Sequence, residues 1–155
     1  MLNPSKSFFL GSGQQWLEEA IRDIAAANKE SLCFIPGYNE PLAHLLYAGG
    51  DIYLMPSLFE PCGLSQMIAM RYGTVPVVRE VGGLRDTVID ADTEGGGNGF
   101  TFLTYDTQGM LWSLKRAIER FSNPKAWDKI RSRGMEEDFS WGKSAALYEN
   151  LYQNI

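Results

Sequence analysis

Residues 59–66 read Phe-Glu-Pro-Cys-Gly-Leu-Ser-Gln, and this stretch decides how the rest of the chain is interpreted. A short β-rich run, residues 51–56, precedes it, and an apolar run, residues 67–73, follows it. This order predicts a strand, a loop and a helix, with a carboxylate, a thiol and a glycine placed where the helix begins. A helix N-terminus carries free backbone N–H groups and a partial positive charge, so it suits an anionic group such as a phosphate.

Strands and helices alternate along the rest of the chain. The predicted strands cover residues 7–10, 32–36, 51–55, 75–78 and 99–103. Apolar residues at helical spacing lie between and after them. We therefore predict an α/β fold, a Rossmann-like parallel sheet flanked by helices. Ligands of such sheets bind at the carboxyl ends of strands, where residues 37–39, 57–63 and 80–83 are expected to converge on one site.

Composition restricts the class of protein. With 155 residues, 45% of them apolar, the chain is long enough for one domain with a core. Its net charge of −5 argues against non-specific binding to nucleic acid and against attachment to an anionic membrane. The two cysteines, Cys33 and Cys62, indicate a reducing compartment. No residues have the spacing of metal ligands, so neither a metal nor another cofactor is expected.

Two further stretches make the pattern specific. Residues 72–79 read Tyr-Gly-Thr-Val-Pro-Val-Val-Arg, and residues 81–88 read Val-Gly-Gly-Leu-Arg-Asp-Thr-Val. Together with residues 57–66 they resemble bacterial glycogen synthases and plant starch synthases, and the resemblance runs from about Phe9 to Tyr152. These enzymes are retaining glucosyltransferases of the GT-B architecture that use ADP-glucose.

The resemblance carries expectations about the whole chain. It implies a nucleotide-sugar-binding C-terminal GT-B domain over residues 1–155, truncated at its start and lacking its first strand, with a C-terminal helix over residues 140–155. It also implies ADP-glucose or ADP as the ligand, and an α-glucan acceptor held by an N-terminal domain outside this chain. The location would be the cytoplasm of a bacterium or the plastid stroma.

The same resemblance implies a catalytic role for Glu60. In the related synthases the matching glutamate contacts the donor glucose and is needed for transfer. A carboxylate there stabilises positive charge that builds on the anomeric carbon, so the role is electrostatic and positioning rather than nucleophilic. Without the resemblance, a loop glutamate that only faces solvent would be the better interpretation.

The resemblance also implies a set of ligand-binding residues. Tyr38 would stack on the adenine, as aromatic faces do, although a loop tyrosine often only covers the edge of a core. The residues expected near the donor sugar and the pyrophosphate are Cys62, Gly63, Leu64, Ser65, Gly82 and Gly83. Routine helix capping and a common Gly-Gly turn would explain the last five equally well. A nucleophilic cysteine would need a base, and His44, the only histidine, lies on another predicted helix.

Several expectations stay open at this point. Ile68 occupies the position where many GT-B enzymes carry a second glutamate that binds the ribose, so the ribose contact is unassigned. The isolated chain is expected to be inactive and to bind ADP weakly. The alternatives are a GT-B transferase that uses another nucleotide sugar, such as UDP-glucose, and a non-catalytic binding module. Residues 90–98 are expected to form a mobile loop, and Trp141, Tyr148 and Tyr152 to leave an apolar surface that favours self-association.

Overall fold

The computed structural model describes residues 5–154. The chain divides into two compact units, Met1–Leu46 and Tyr47–Ile155. The helices and strands are β1 (Ser7–Gly11), α1 (Gln15–Ala27), β2 (Leu32–Pro36), α2 (Glu40–Gly49), β3 (Ile52–Met55), α3 (Ser65–Tyr72), β4 (Val75–Arg79), α4 (Gly83–Thr87), β5 (Phe100–Phe102), α5 (Thr107–Phe121), α6 (Pro124–Glu136) and α7 (Trp141–Gln153). The predicted alternation of strands and helices is confirmed.

The first unit contains a two-stranded parallel sheet in which Ser7 of β1 lies opposite Leu32 of β2. Helix α1 packs against β2. The side chain of Asn39 accepts the N–H of Leu42 at 3.0 Å and so caps α2, where Pro41 is tolerated in the first turn. None of the described residues 5–46 is buried, because two strands and their helix do not enclose a side chain by themselves.

The second unit contains a three-stranded parallel sheet in the order β3-β4-β5. Ile52 lies opposite Val75, and Val77 lies opposite Phe100. The predicted parallel α/β fold is therefore confirmed, with the strands paired in two sheets rather than in one. Because β3 and β4 are parallel neighbours, the loops that follow them leave the sheet at the same edge.

Alternate residues of β4 face opposite sides of the sheet, as the pleat of a strand requires, and each side has its own core. On one side Val77 packs with residues of β5, α5 and α6, namely Phe100, Ala117, Trp127 and Ile130. On the other side Val78 packs with residues of α3 and the α4 region, namely Met70, Leu84 and Val88. Helices thus cover both faces, and the polar edge at the carboxyl ends of the strands is left for a site.

The acidic segment, residues 90–98, is held at its start by ion pairs, and its mobility stays a prediction. Its first residues are fixed by α5, since Arg116 contacts the carboxylates of both Asp90 and Asp92 at 2.5 Å and Arg120 contacts Asp92 at 2.6 Å. An isolated parallel bridge also joins Asp90 to Gly99. The ion pairs join residues far apart in the chain, so sequence spacing alone does not reveal them.

Helix α7 ends the described chain with an exposed aromatic face, as expected. Trp141 is 89% exposed, and Tyr148 and Tyr152 are also exposed. None of the helices within residues 5–154 has the length and apolar character needed to cross a membrane.

Candidate functional site

Two of the three predicted site loops meet in the second unit. We call residues 57–64, which follow β3, the glutamate loop, and residues 80–83, which follow β4, the diglycine turn. The backbone N–H of Gly83 donates a hydrogen bond to the backbone carbonyl of Glu60 at 3.1 Å. The two loops therefore form one continuous wall at the carboxyl ends of β3 and β4.

Several backbone carbonyl groups of the glutamate loop accept hydrogen bonds from other parts of the protein. Arg79, the last residue of β4, donates to the carbonyl of Leu58 at 2.9 Å and to that of Ser57 at 3.4 Å. Gln66, in the first turn of α3, donates to the carbonyl of Gly63 at 2.7 Å. With the Glu60 carbonyl held by the diglycine turn, the loop is fixed mainly through its acceptors.

The N–H groups at the end of the same loop are left without partners. Within residues 5–154, none of the five backbone N–H groups from Cys62 to Gln66 donates a hydrogen bond to another protein group. Leu64 occupies the N-cap position of α3, and its side chain cannot cap the helix. Adjacent free N–H groups at a helix start can bind an anion such as a phosphate.

Close packing of the two loops explains their glycines. A side chain at Gly82 would overlap the carbonyl oxygen of Glu60, and one at Gly83 would overlap that of Cys62. Gly63 has a φ of 73°, in the left-handed region that favours glycine, and a Cβ there would lie 2.6 Å from Oε1 of Gln66. The glycines therefore allow the wall to form.

The side chains of Glu60, Cys62 and Ser65 differ in their exposure and in their hydrogen bonds. Glu60 is half-buried, and its carboxylate makes no hydrogen bond or ion pair with any residue in the described part of the chain. Cys62 is exposed. The hydroxyl of Ser65 lies 3.4 Å from Sδ of Met55 and donates to it, so this residue offers its N–H rather than its hydroxyl. An unpaired carboxylate beside free N–H groups can face a ligand with both a positively charged and an anionic part.

Tyr38 belongs to the first unit. It follows β2 and Gly37, whose φ is 97°, and its side chain is 84% exposed. The N–H of Gly37 donates to the carbonyl of Gly11 at 2.9 Å, so the loops after β1 and β2 are joined. An open tyrosine face is available for stacking, and its contact with an adenine stays a prediction.

The burial of residues at the start of α3 does not follow their polarity. The apolar Leu64 is 64% exposed. The polar Gln66, which was given no role, is fully buried. Gln66 lies inside because its amide donates to the carbonyl of Gly63 and to the hydroxyl of Thr87. No local pattern in the sequence gives this burial, because the contact with Thr87 joins residues that lie 21 positions apart.

Comparisons with known proteins show which family the chain resembles. Residues 5–132 match the family model of glycosyl transferases group 1. The chain is 48% identical over 148 residues to a glycogen synthase of Desulfitobacterium hafniense, covering 94% of this chain and 32% of that protein. It is 48% identical over 147 residues to a glycogen synthase of Bacillus cereus, again covering 94% of this chain and 31% of that protein. The chain thus spans about a third of the length of these curated relatives.

A solved structure supports the same relationship. The catalytic domain of starch synthase IV from Arabidopsis thaliana, bound to ADP and acarbose, aligns with a TM-score of 0.86 at 39% identity. The alignment covers 96% of this chain and 32% of that one. The parallel α/β fold, the match over most of the chain and these relatives lead to one conclusion: the chain belongs to the glycosyl transferases group 1 family.

Proposed function

We propose that this chain is the nucleotide-sugar-binding part of a retaining glucosyltransferase that transfers glucose from ADP-glucose to the non-reducing end of an α-1,4-glucan. The observation that carries the proposal is the row of unpaired N–H groups from Cys62 to Gln66 beside the unpaired carboxylate of Glu60. The names of the relatives, glycogen and starch synthases, supply the substrate class.

Each part of the site has a role in this proposal. The N–H groups of Gly63, Leu64 and Ser65 bind the diphosphate and stabilise the charge that develops on the leaving group. Glu60 faces the glucose and stabilises positive charge at the anomeric carbon. Cys62 and the diglycine turn line the sugar, and Tyr38 stacks on the adenine.

The chain alone is proposed to bind ADP without catalysing transfer. The chain spans about a third of the length of its curated relatives, and the proposal assigns the acceptor glucan to a part of the protein outside this chain. A mixture of this chain, ADP-glucose and glycogen is therefore expected to release no ADP, and clear turnover would contradict this part of the proposal. The exposed aromatic face of α7 further supports self-association, which light scattering over a range of concentrations checks.

The test of the binding site is a calorimetric titration of ADP into the chain and into Leu64→Asp. The new carboxylate lies at the N-cap of α3, where it accepts the free N–H groups and repels a phosphate. We expect the affinity for ADP to fall about tenfold or more, a free-energy loss of about 1.4 kcal/mol or more. Asn123→Asp is the matched control, because it adds the same charge at the N-cap of α6.

The outcomes separate the proposal from its alternatives. Equal ADP affinity in the parent chain and Leu64→Asp would contradict the anion site. Tighter binding of UDP than of ADP would favour a transferase that uses a uridine nucleotide sugar. A non-catalytic module predicts that Glu60→Gln, introduced into a full-length protein that contains this chain, leaves glucosyl transfer unchanged, whereas our proposal predicts a loss of at least about a hundredfold.

A further inference from the structure

The buried amide of Gln66 joins the two loops of the site. Its Nε2 donates to the carbonyl of Gly63 at 2.7 Å and to the hydroxyl of Thr87 at 2.9 Å. The hydroxyl of Thr87 in turn donates to the carbonyl of Gly83 at 2.7 Å. A single chain of hydrogen bonds therefore runs from the glutamate loop, through α3 and α4, to the diglycine turn.

Counting protons fixes the orientation of this amide. A threonine hydroxyl has one proton, and Thr87 uses it on the carbonyl of Gly83, so it accepts from Gln66. The carbonyl of Gly63 also only accepts. Both contacts therefore require the amide nitrogen of Gln66, and the amide oxygen is left on the other side. That oxygen is buried and has no hydrogen-bond partner within the described residues.

An unpaired buried oxygen is unfavourable for stability, because it has lost its contacts with water. A leucine or methionine at this position would avoid that loss but would leave the carbonyl of Gly63 without its donor. Glutamine at position 66 therefore leaves one buried oxygen unpaired but provides the donor that the carbonyl of Gly63 needs. Such local costs are often found where a backbone is held for binding.

The arrangement sets the direction of one N–H group. In a trans peptide the carbonyl and the N–H point in opposite directions, and the described chain has no cis peptide bond. Because the carbonyl of Gly63 points to Gln66, the N–H of Leu64 in the same peptide points away from it. Gln66 thus turns the N–H of Leu64 away from the buried side of the loop.

We propose that Gln66 is a positioning residue, which holds the N–H of Leu64 and the diglycine turn in the orientation that binds a diphosphate. The proposal rests on the proposed function, since it concerns the same site. Gln66 touches no ligand itself, because its amide is fully buried. Thr87 transmits its effect to the diglycine turn, because its hydroxyl donates to the carbonyl of Gly83.

The experiment uses pyrophosphate as the probe and follows the backbone amide resonances of the chain by NMR. In the parent chain we expect the resonances of Leu64 and Ser65 to shift as pyrophosphate is added. In Gln66→Met, which keeps the length of the side chain and removes its donors, we expect the affinity to fall about tenfold and the shift of Leu64 to be lost. Gln108→Met, in the exposed first turn of α5, is the matched control and binds like the parent.

A second pair of variants separates positioning from stability. Thr87→Ser keeps the hydroxyl and is expected to bind pyrophosphate like the parent, whereas Thr87→Val is expected to lose about fivefold. The indole resonance of Trp127, in the core, reports whether each variant is folded. A changed Trp127 resonance in both Gln66→Met and Thr87→Val would show that the two variants lose binding because they lose the fold. That result would overturn the positioning role.

The result also distinguishes this proposal from the one on which it rests. A parent chain that binds neither ADP nor pyrophosphate contradicts both proposals. A parent chain whose binding is lost in Leu64→Asp but unchanged in folded Gln66→Met supports the proposed function and overturns the role of Gln66.

Discussion

The glutamate loop and the acidic segment lie in the same unit, but their carboxylates differ in hydrogen bonding. Asp90 accepts hydrogen bonds from the guanidinium of Arg116 at 2.5 and 3.1 Å, from the N–H of Thr101 at 2.8 Å and from the N–H of Asp92 at 3.0 Å. The carboxylate of Glu60 accepts none from any residue in the described range. A carboxylate that is fully paired stabilises the fold, while an unpaired one beside free N–H groups is available to a ligand.

The pKa of Asp90 reflects this pairing. Burial by itself would raise the pKa of this carboxyl group, but the hydrogen bonds from Arg116 and from the N–H groups of Asp92 and Thr101 outweigh burial and hold the pKa below its ordinary value. For Asp92 the hydrogen bond from Arg116 is the main cause of a lowered pKa. Both charges therefore stabilise the folded state.

The largest expected effect comes from adding a methyl group to either loop. A Cβ at Gly83 would overlap the carbonyl of Cys62, and a Cβ at Gly97 in the acidic segment would overlap that of Ile89. Because backbone cannot rotate away as a side chain can, Gly83→Ala and Gly97→Ala should each lower the free energy of unfolding by about 3 kcal/mol in urea titrations. Only Gly83→Ala should also abolish ADP binding below its unfolding midpoint, and an equal loss of binding in Gly97→Ala would remove the distinction between the loops.

Removing the paired charge of Asp90 should have a smaller effect on stability and no effect on the affinity for ADP. Asp90→Asn keeps the size of the side chain but weakens its contacts with Arg116, so we expect a loss of about 2 kcal/mol in the free energy of unfolding at pH 7. The pKa of Asp90 is lower in the folded than in the unfolded chain, so its contribution is complete above about pH 4 and is lost as the pH falls through the folded pKa.

The pH dependence provides the check on that interpretation. The difference in unfolding free energy between the parent chain and Asp90→Asn should shrink below about pH 4, measured by urea titration at a series of pH values. A difference that is constant down to pH 2 would show that the charge of Asp90 is not the source of its contribution. Asp128→Asn, in the exposed pair with Arg131, is the control and should cost less than about 1 kcal/mol.

The same chemical change in the glutamate loop should have the smallest effect on stability. Glu60→Gln removes a charge with no protein partner, so we expect the free energy of unfolding to change by less than about 0.5 kcal/mol. ADP affinity should also stay within about twofold, because Glu60 is proposed to face the sugar rather than the diphosphate. A loss as large as that of Asp90→Asn would mean that Glu60 holds the loop together.

Most of the fold and part of the site could be predicted from the sequence. The short apolar runs and the helical spacing between them are local patterns, so strands such as β4 were predicted correctly. The meeting of residues 57–63 with residues 80–83 followed from parallel neighbouring strands. The convergence of residues 37–39 on the same site stays a prediction, because that loop belongs to the other unit.

The sequence by itself thus determined the order of strands and helices, the parallel arrangement and the loops that carry Glu60 and Gly83, because periodicity and chain order are sufficient for these. Only the tertiary structure decided which polar groups are paired. Asp90 and Arg116 lie 26 residues apart, and Gln66 and Thr87 lie 21 apart. Whether such groups meet, and whether Gln66 is buried while Leu64 is exposed, depends on packing between distant segments, which no local pattern records.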